Sequence, residues 1–277
     1  TFGSTTLITN ENLRPTRDYY ISNMYRIEAV KLIDRCIDKK KYNDSSFVDE
    51  LNQFIGKLTV SKETCGINVT MPYKQSVIKY LDKLNQSATI TKAVNCIKRE
   101  NNVYMGYNND VVGFSKLLNK YNINISGSNN IIIGSGGSAR AVILSLIQNN
   151  AKHIYILSRN QHSTTTLFED FGPYLGKTKI ESLHNDSNLT NCNLINCTPV
   201  GTQKNINASI LNYIPKNHYK VIIDINYNSN LECFNQISGK KINGNAMFVF
   251  QALASLDIWF ASNISNKLNY QELEKKI

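Results

Sequence analysis

The chain has 277 residues, of which 42% are hydrophobic, and its formal net charge is +10. This composition allows one large core or two moderate ones and excludes global disorder. The basic residues are scattered and rarely alternate with aromatic side chains, so we expect no nucleic-acid partner. No apolar run reaches the roughly 18 residues of a membrane span and no signal peptide is visible. We therefore expect no membrane partner and a cytoplasmic location.

Cysteine usage argues against a metal site and against a disulfide framework. The cysteines are widely spaced and form no CxxC pair, which is the spacing that a zinc site would need. A chain of this length does not depend on disulfides, so we expect reduced thiols and no bound metal. The six positions are Cys36, Cys65, Cys96, Cys192, Cys197 and Cys233.

In the first part of the chain, apolar residues at helical spacing alternate with short β-prone runs. Pro72 ends one of these runs and separates it from the helical pattern that follows. In chain order we predict helices over about 25–36 and 47–58, a strand over 66–70, a helix over 75–84, and strands over 93–97 and 103–106.

The second part reads as alternating strands and helices. Residues 130–133 form a continuous apolar run, as expected for a strand buried on both faces of a parallel sheet. A glycine turn, a helix over 139–148 and a strand over 153–157 complete a βαβ unit. Further strands are predicted near 194–196 and 221–224, and a strongly apolar helix over 248–258 closes the pattern.

The glycine turn is a variant of the dinucleotide-binding fingerprint, and its residues are Gly134, Ser135, Gly136, Gly137, Ser138 and Ala139. The first glycine permits the tight turn, the second lets backbone approach a phosphate, and the small last residue lets helix and strand pack closely. The free N–H groups of the following helix would point at a pyrophosphate. The alternative is a glycine turn with no ligand.

The end of the next predicted strand indicates which dinucleotide is bound. An NAD site usually offers an acidic residue there to the ribose hydroxyls. This chain has Ser158, Arg159 and Asn160 instead, and an arginine suits the 2′-phosphate of NADP. We predict NADP as the cofactor, with a solvated loop arginine as the alternative.

Seven blocks, in order, resemble the shikimate dehydrogenase family over most of the chain. Residues 68–74 match its NVTxPxK signature, and Asn196–Gly201 resembles its NxTxxG nicotinamide loop. The other blocks are Ala93–Ile97 (AVNTI in the family), Gly106–Asp110 (GxNTD), Gly134–Ala141 (GAGGAARA), Asp224–Tyr227 and Gly244–Gln251.

The resemblance implies that Lys74 and Asp110 form a catalytic pair. Reduction of a ketone by hydride transfer creates an alkoxide, which a lysine ammonium can stabilise and protonate while a carboxylate orients it. The alternative for Lys74 is a surface lysine at a helix start, and Gln251 could be a polar residue on a buried helix. The implied substrate-binding residues are Thr70, Asn95, Asp110, Tyr227 and Gln251.

The resemblance also implies an α/β fold, the domain organisation and the reaction. An N-terminal α/β substrate domain (1–112 plus 245–277) is expected to flank a Rossmann-type NADP-binding domain with a parallel sheet (113–244), with a cleft between them. The reaction is the reversible reduction of 3-dehydroshikimate to shikimate by NADPH, in aromatic amino acid (chorismate) biosynthesis. Besides the glycine turn and residues 158–160, the implied cofactor-binding residues are Thr198, Val200, Ile225, Gly244 and Met247.

The chain departs from the family at several positions. The usual Ser-x-Ser-Pro element is missing, and Leu13–Asn23 resembles the Arg-Pro start of the shikimate dehydrogenase-like subgroup, with Thr16, Tyr20 or Ser22 in place of the serines. Asn109 replaces a threonine and Val111 a glycine, and a second arginine after residue 159 is absent.

These departures leave two rival functions open. One is a dehydrogenase for quinate or another cyclic polyol acid. The other is a non-catalytic NADP-binding regulatory homologue, against which the retention of both Lys74 and Asp110 argues. A monomer and a homodimer are equally compatible with the sequence.

Overall fold

The computed structural model describes residues 7–9, 64–71, 73–101, 103–183, 189, 191–201, 212–215, 218–227, 229 and 231–275. The helices predicted over 25–36 and 47–58, and the substrate segment predicted over 13–23, lie outside the described residues. Within the described ranges, none of the helices combines the length and the apolar character needed to cross a membrane.

The chain forms two compact units, and each unit is built from segments that are not contiguous in the sequence. The first unit comprises Thr1–Thr89, Ala93–Asn108 and Ser255–Leu268. The second unit comprises Ile90–Lys92, Asn109–Ala254 and Asn269–Ile277.

The first unit contains a five-stranded sheet in the order β1-β2-β4-β5-β3. All its pairs are antiparallel except β3 with β5. The strands are β1 (Leu7–Thr9), β2 (Thr64–Asn68), β3 (Lys83–Leu84), β4 (Cys96–Glu100) and β5 (Val103–Tyr107), and helix α1 is Gln86–Thr91. The strands predicted near 66–70, 93–97 and 103–106 are thus present, with shifted ends.

The helix predicted over 75–84 is wrong. A 3-10 helix, Ser76–Tyr80, occupies the start of that range and gives way to β3. The backbone of Asp82 donates to the Tyr104 carbonyl at 3.0 Å, and its carboxylate accepts from the Tyr104 N–H at 2.7 Å. This pairing with β5 draws the chain into a strand despite its helical apolar spacing.

Trp259 packs inside the first unit against a glycine of β2. Its indole nitrogen donates to the Ile97 carbonyl at 2.9 Å. A Cβ at Gly66 would collide with the same indole, so the close approach needs glycine there.

The second unit is built on a six-stranded parallel sheet in the order β8-β7-β6-β9-β10-β11. The strands are β6 (Asn129–Ile133), β7 (His153–Leu157), β8 (Lys179–Ser182), β9 (Asn193–Asn196), β10 (Val221–Asp224) and β11 (Lys240–Ile242). The longer helices are α2 (Asp110–Lys120), α3 (Gly137–Gln148), α4 (Gln161–Phe171) and α5 (Asn245–Phe260), and the short α6 is Tyr270–Glu274. The last residues of α5, from Ser255 onward, belong to the first unit.

The central strand β6 explains the continuous apolar run. Ile131 and Ile133 enter the core on one face of the sheet, and Ile132 enters the core on the other. Successive side chains of a strand point to opposite faces, so a strand covered on both faces must be apolar throughout. Hydrophobic burial on both sides of β6 fixes the carboxyl end of this strand, where the glycine turn begins.

The chain reverses its order of strand addition at β6. It passes from β6 to β7 on one side, and later returns to add β9 on the other side. In an open parallel sheet, such a switch point leaves a crevice at the carboxyl ends of the two central strands, where ligands bind. Gly134 follows β6 and Cys197 follows β9, so both predicted cofactor loops start at this point.

A buried ion pair anchors residues 90–92, which belong to the second unit, to α3 and α4. Arg140 on α3 is 2% exposed and contacts Asp170 on α4 at 2.7 Å. Lys92 contacts the other oxygen of Asp170 at 2.9 Å, and Arg140 donates to the Thr91 carbonyl at 3.3 Å. Burial alone would raise the pKa of Asp170, but the hydrogen bonds from Lys92 and Arg140 outweigh it and lower that pKa.

Candidate functional site

Lys74 lies in the turn that follows β2 and is half-buried. The turn is closed by a hydrogen bond from the Tyr73 N–H to the Thr70 carbonyl at 2.9 Å. The Lys74 carbonyl accepts from the Val94 N–H at 2.6 Å, which ties the turn to the segment before β4. Main-chain bonds therefore place both Thr70 and Lys74.

Asn95 is anchored beside that turn. Its N–H donates to the Tyr107 carbonyl at 2.9 Å, and its carbonyl accepts from the Val69 N–H at 2.7 Å. The Asn95 side chain is buried, with 3% of the residue exposed. The first unit thus brings together three of the predicted site residues, Thr70, Lys74 and Asn95.

Asp110 opens α2 in the second unit and is 5% exposed. One turn further along, α2 touches α5: a Cβ added at Gly113 would lie 2.7 Å from the Met247 carbonyl oxygen and 3.2 Å from the Gln251 nitrogen. Residues three apart share a helix face. Asp110 therefore lies on the face of α2 that meets Met247 and Gln251, and its pairing with Lys74 of the first unit stays a prediction.

Tyr227 and Gln251 are both next to Phe248. The Tyr227 and Phe248 rings have centroids 4.4 Å apart, and Gln251 Nε2 donates to the Phe248 carbonyl at 3.0 Å. Burial raises the pKa of Tyr227 above its ordinary value. The second unit thus gathers Asp110, Tyr227, Met247 and Gln251.

Gly244 precedes α5 in a position that only glycine can occupy. An added Cβ would collide with the Ile225 carbonyl oxygen, and the Gly244 N–H donates to the Asn226 carbonyl at 3.1 Å. The start of α5 is therefore pressed against the segment after β10, which carries Ile225 and Tyr227.

The glycine turn has the shape that a pyrophosphate needs. Gly134 has φ +109°, where side chains are strained. A Cβ at Gly136 would meet no atom within 4 Å, and within the described residues no side chain caps the helix that begins at Gly137. Ala139 is fully buried, as close packing of helix and strand requires. A helix that begins at this turn and the open space beside Gly136 fit a dinucleotide.

Three serine hydroxyls meet beside this turn. Ser135 Oγ lies 2.9 Å from Ser158 Oγ and donates to Ser163 Oγ at 3.0 Å. Asn160 caps α4 by accepting a hydrogen bond from the Ser163 N–H at 2.9 Å. Arg159, between Ser158 and Asn160, is exposed. Ser163 is not among the predicted residues, although an asparagine such as Asn160 just before a helix is a recognised cap whose acceptor bonds the residue three positions on.

The loop after β9 contacts the glycine turn directly. A Cβ at Gly134 would lie 3.0 Å from Thr198 Cγ2. Thr198 and Val200 are held by the buried side chain of Asn196. The block Asn196–Gly201 is among the predicted ones, but neither Asn196 nor Asp224, its partner on β10, is a predicted site residue.

In the part of the chain that the structure describes, potential metal ligands are not clustered, and a surface depression lies away from these loops. No group of three or more potential metal ligands occurs among the described residues. A surface depression of about 570 Å³ lies at the far ends of α2 and α3 and is lined by residues such as Asn122 and Asn150. Because α3 begins at the glycine turn, this depression is a helix length away from it.

The strand order, the glycine turn at the switch point and the uncapped helix that follows define a Rossmann-type nucleotide-binding protein. A model of the shikimate dehydrogenase substrate binding domain matches residues 31–97, and a model of shikimate / quinate 5-dehydrogenase matches residues 116–243. The NADP(+) shikimate dehydrogenase of Clostridium botulinum (strain Hall) is 34% identical over 78% of this chain and 83% of that enzyme. The chain belongs to the shikimate dehydrogenase family.

Solved structures agree with this assignment. The chorismate mutase/shikimate 5-dehydrogenase fusion protein from Clostridium acetobutylicum is 31% identical, with a TM-score of 0.62, over 82% of this chain and 83% of that chain. Shikimate 5-dehydrogenase from Listeria monocytogenes, in complex with shikimate and NAD, has a TM-score of 0.67 at 21% identity over 82% of each chain, a likeness of fold. The predicted resemblance and the α/β fold class with a Rossmann-type parallel sheet are confirmed.

Proposed function

We propose that this chain is an NADP-dependent oxidoreductase that interconverts 3-dehydroshikimate and shikimate. The observation that carries the proposal is that NADP(+) shikimate dehydrogenases match most of the chain, at 34% identity over 78% of it. The fold adds a glycine turn of suitable shape, and the first unit retains Lys74 on a defined turn. The reaction would serve aromatic amino acid biosynthesis.

We assign substrate binding to the first unit and NADP binding to the second. The compact units differ from the sequence-based boundaries at 90–92, 109–112, 245–254 and 269–277, all of which belong to the second unit. Compactness does not report where ligands bind, so the functional boundaries stay a prediction. A cytoplasmic location and the choice between monomer and homodimer also stay predictions.

NADPH, when bound, would supply the hydride that reduces the carbonyl carbon. The negative charge that develops on the carbonyl oxygen is stabilised by the Lys74 ammonium, which then donates its proton to that oxygen. The Asp110 carboxylate orients the ammonium. In the reverse direction neutral Lys74 accepts the proton of the shikimate hydroxyl, so one lysine acts as acid and as base.

The remaining roles are the ones that the family resemblance implies. Thr70, Asn95, Tyr227 and Gln251 have the hydrogen-bonding groups to hold the substrate hydroxyls and carboxylate. The glycine turn binds the pyrophosphate, and Arg159 with Ser158 and Asn160 binds the 2′-phosphate. The residues assigned to the nicotinamide side are Thr198, Val200, Ile225, Gly244 and Met247.

The test is reduction of NADP by shikimate, with quinate and with NAD measured in parallel. We expect turnover with shikimate and NADP that Lys74→Ala abolishes, whereas Lys79→Ala, an exposed lysine in the adjacent 3-10 helix, retains it. A clear preference for quinate with NAD would contradict the proposal. Binding of NADP without turnover on either substrate would favour the regulatory alternative.

A further inference from the structure

The loop of residues 197–201 is shaped by the amide of one buried asparagine. Asn196 Oδ1 accepts from the Thr198 N–H at 3.1 Å and from the Thr198 hydroxyl at 2.7 Å. Asn196 Nδ2 donates to the Val200 carbonyl at 3.1 Å and to Asp224 Oδ1 at 3.0 Å. A primary amide has two donor hydrogens and an oxygen with two lone pairs. Asn196 therefore uses its whole hydrogen-bonding capacity on the loop and on Asp224.

The Asp224 carboxylate connects this loop to the segment after β10. Its Oδ1 also accepts from the Asn226 N–H at 3.1 Å and from Asn226 Nδ2 at 2.7 Å. Its Oδ2 accepts from the Ser229 hydroxyl at 2.6 Å. Asn226 Nδ2 donates in addition to the Thr198 carbonyl at 2.8 Å. One carboxylate thus anchors two of the segments that carry nicotinamide-side residues, the one after β9 and the one after β10.

Such a network is costly to bury. Asn196 and Asp224 are both 0% exposed, and burial raises the pKa of Asp224 in spite of the hydrogen bonds that it accepts. Apolar side chains of similar size would fill the same volume without that desolvation cost. The network is therefore better explained by what it does for the loop than by what it does for the core.

The loop is placed where a small displacement matters. Thr198 Cγ2 lies 3.0 Å from the position of an added Cβ on Gly134, so the loop borders the glycine turn at the switch point. A loop that moved by one ångström would either close on the turn or open away from it. Displacements of that size in a positioning element can cost about 10²-fold in rate.

We propose that Asn196 and Asp224 are positioning residues that form the nicotinamide loop before NADP arrives. The inference rests on the proposed function, because it takes NADP as the cofactor and assigns this loop to its nicotinamide half. The network makes its hydrogen bonds to the segments after β9 and β10, on the nicotinamide side. The adenosine half lies on the glycine turn and on residues 158–160, none of which bonds to Asn196 or Asp224 in the described contacts.

The positioning role is tested by calorimetric titration with two ligands, NADP and adenosine 2′,5′-bisphosphate. The bisphosphate lacks the nicotinamide half. We expect Asn196→Ala to weaken the binding of NADP by about tenfold and the binding of the bisphosphate by less than about twofold. The reason is that only the positioning of the nicotinamide half is lost. The matched control is Asn193→Ala. Asn193 is also 0% exposed on β9, but its amide donates to Asn130 at the opposite end of the strand.

A second pair of variants guards against a merely structural effect. Asp224→Asn keeps an acceptor oxygen for Asn196, so it should retain more NADP affinity and more kcat than Asp224→Ala at similar folded yield. Hydrogen exchange without ligand should show faster exchange of the Thr198 amide in Asn196→Ala but not in Asn193→Ala.

Three results would overturn the inference. The first is equal weakening of both ligands by Asn196→Ala, and the second is equal effects of Asn196→Ala and Asn193→Ala on NADP. The third is unchanged exchange of the Thr198 amide. If the wild-type chain bound neither ligand, the proposed function itself would fail, and this outcome is distinct from the other three.

Discussion

The two compact units hold their predicted site residues by different means. In the first unit, main-chain hydrogen bonds place Thr70, Lys74 and Asn95 between β2 and β4. In the second unit, side chains do much of this work: Asn196 holds the loop after β9, and Asn160 caps the helix beside Arg159. A side chain held by its own backbone can be replaced without moving its neighbours, whereas removing an anchoring side chain moves a loop. The units should therefore respond differently to substitution.

The largest expected effect separates chemistry from structure in the first unit. Lys74→Met should lower kcat by about 10³-fold, roughly 4 kcal/mol, because the proton donor is lost. Its free energy of unfolding should stay within about 0.5 kcal/mol of wild type, because the main-chain bonds of the turn remain. Urea denaturation and steady-state rates measure the two quantities, with Lys79→Met as the control. A large loss of stability would show that the turn depends on the lysine side chain.

In the second unit the largest effect should be on stability. Asp170→Asn leaves Arg140 charged and 2% exposed, and should cost about 3 kcal/mol in unfolding free energy at neutral pH. Glu181→Gln, which removes the partner of His153 in a pair whose glutamate is 53% exposed, should cost under about 1 kcal/mol. Equal effects of the two variants would contradict the role given to the buried pair.

The stabilising contribution of Asp170 should also depend on pH. The pKa of Asp170 is lowered in the folded chain, so its stabilisation is fully present above the unfolded pKa of about 4 and is lost as the pH falls through the folded pKa. The stability difference between wild type and Asp170→Asn should therefore shrink on acidification below pH ~4. Unfolding curves over an acid pH series measure it, and a difference that grows would reverse the sign assigned to this group.

The glycine turn provides a position at which binding and stability can be separated within the second unit. A Cβ at Gly136 meets no protein atom within 4 Å, so Gly136→Ala should leave the unfolding free energy within about 0.5 kcal/mol. The same methyl group would fill the space beside the turn that the pyrophosphate needs. It should weaken the affinity for NADP by about tenfold, or about 1.4 kcal/mol. Gly172→Ala, also with open space around it, is the control. Unchanged NADP affinity would place the pyrophosphate elsewhere.

Local patterns explain which parts of this fold could be predicted from the sequence. The strand β6 and the glycine turn after it can be predicted from patterns within about a dozen residues, and both are present. The helix predicted over 75–84 failed because Asp82 pairs with Tyr104, which is 22 residues away. The link between Asn196 and Asp224 spans 28 residues and exists because β9 and β10 are neighbours in the sheet. Such contacts depend on strand order, which spacing along the chain does not reveal.

The smallest expected effect tests the side-chain anchors beside Arg159. Asn160→Ala removes the acceptor of the Ser163 N–H and should cost about 1 kcal/mol of stability. Asn269→Ala removes the equivalent cap from α6, where the Asn269 side chain accepts from the Gln271 N–H at 3.0 Å, and should cost a similar amount. Only Asn160→Ala should also weaken the affinity for NADP, by a few-fold, and it should leave the affinity for NAD unchanged. The start of α4 that this variant loosens carries Arg159, which is assigned to the 2′-phosphate. Titration of each variant with NADP and NAD measures this difference. If both caps affected NADP alike, the loss would be one of general stability, and the side-chain anchors of the second unit would not be specific to its cofactor loops.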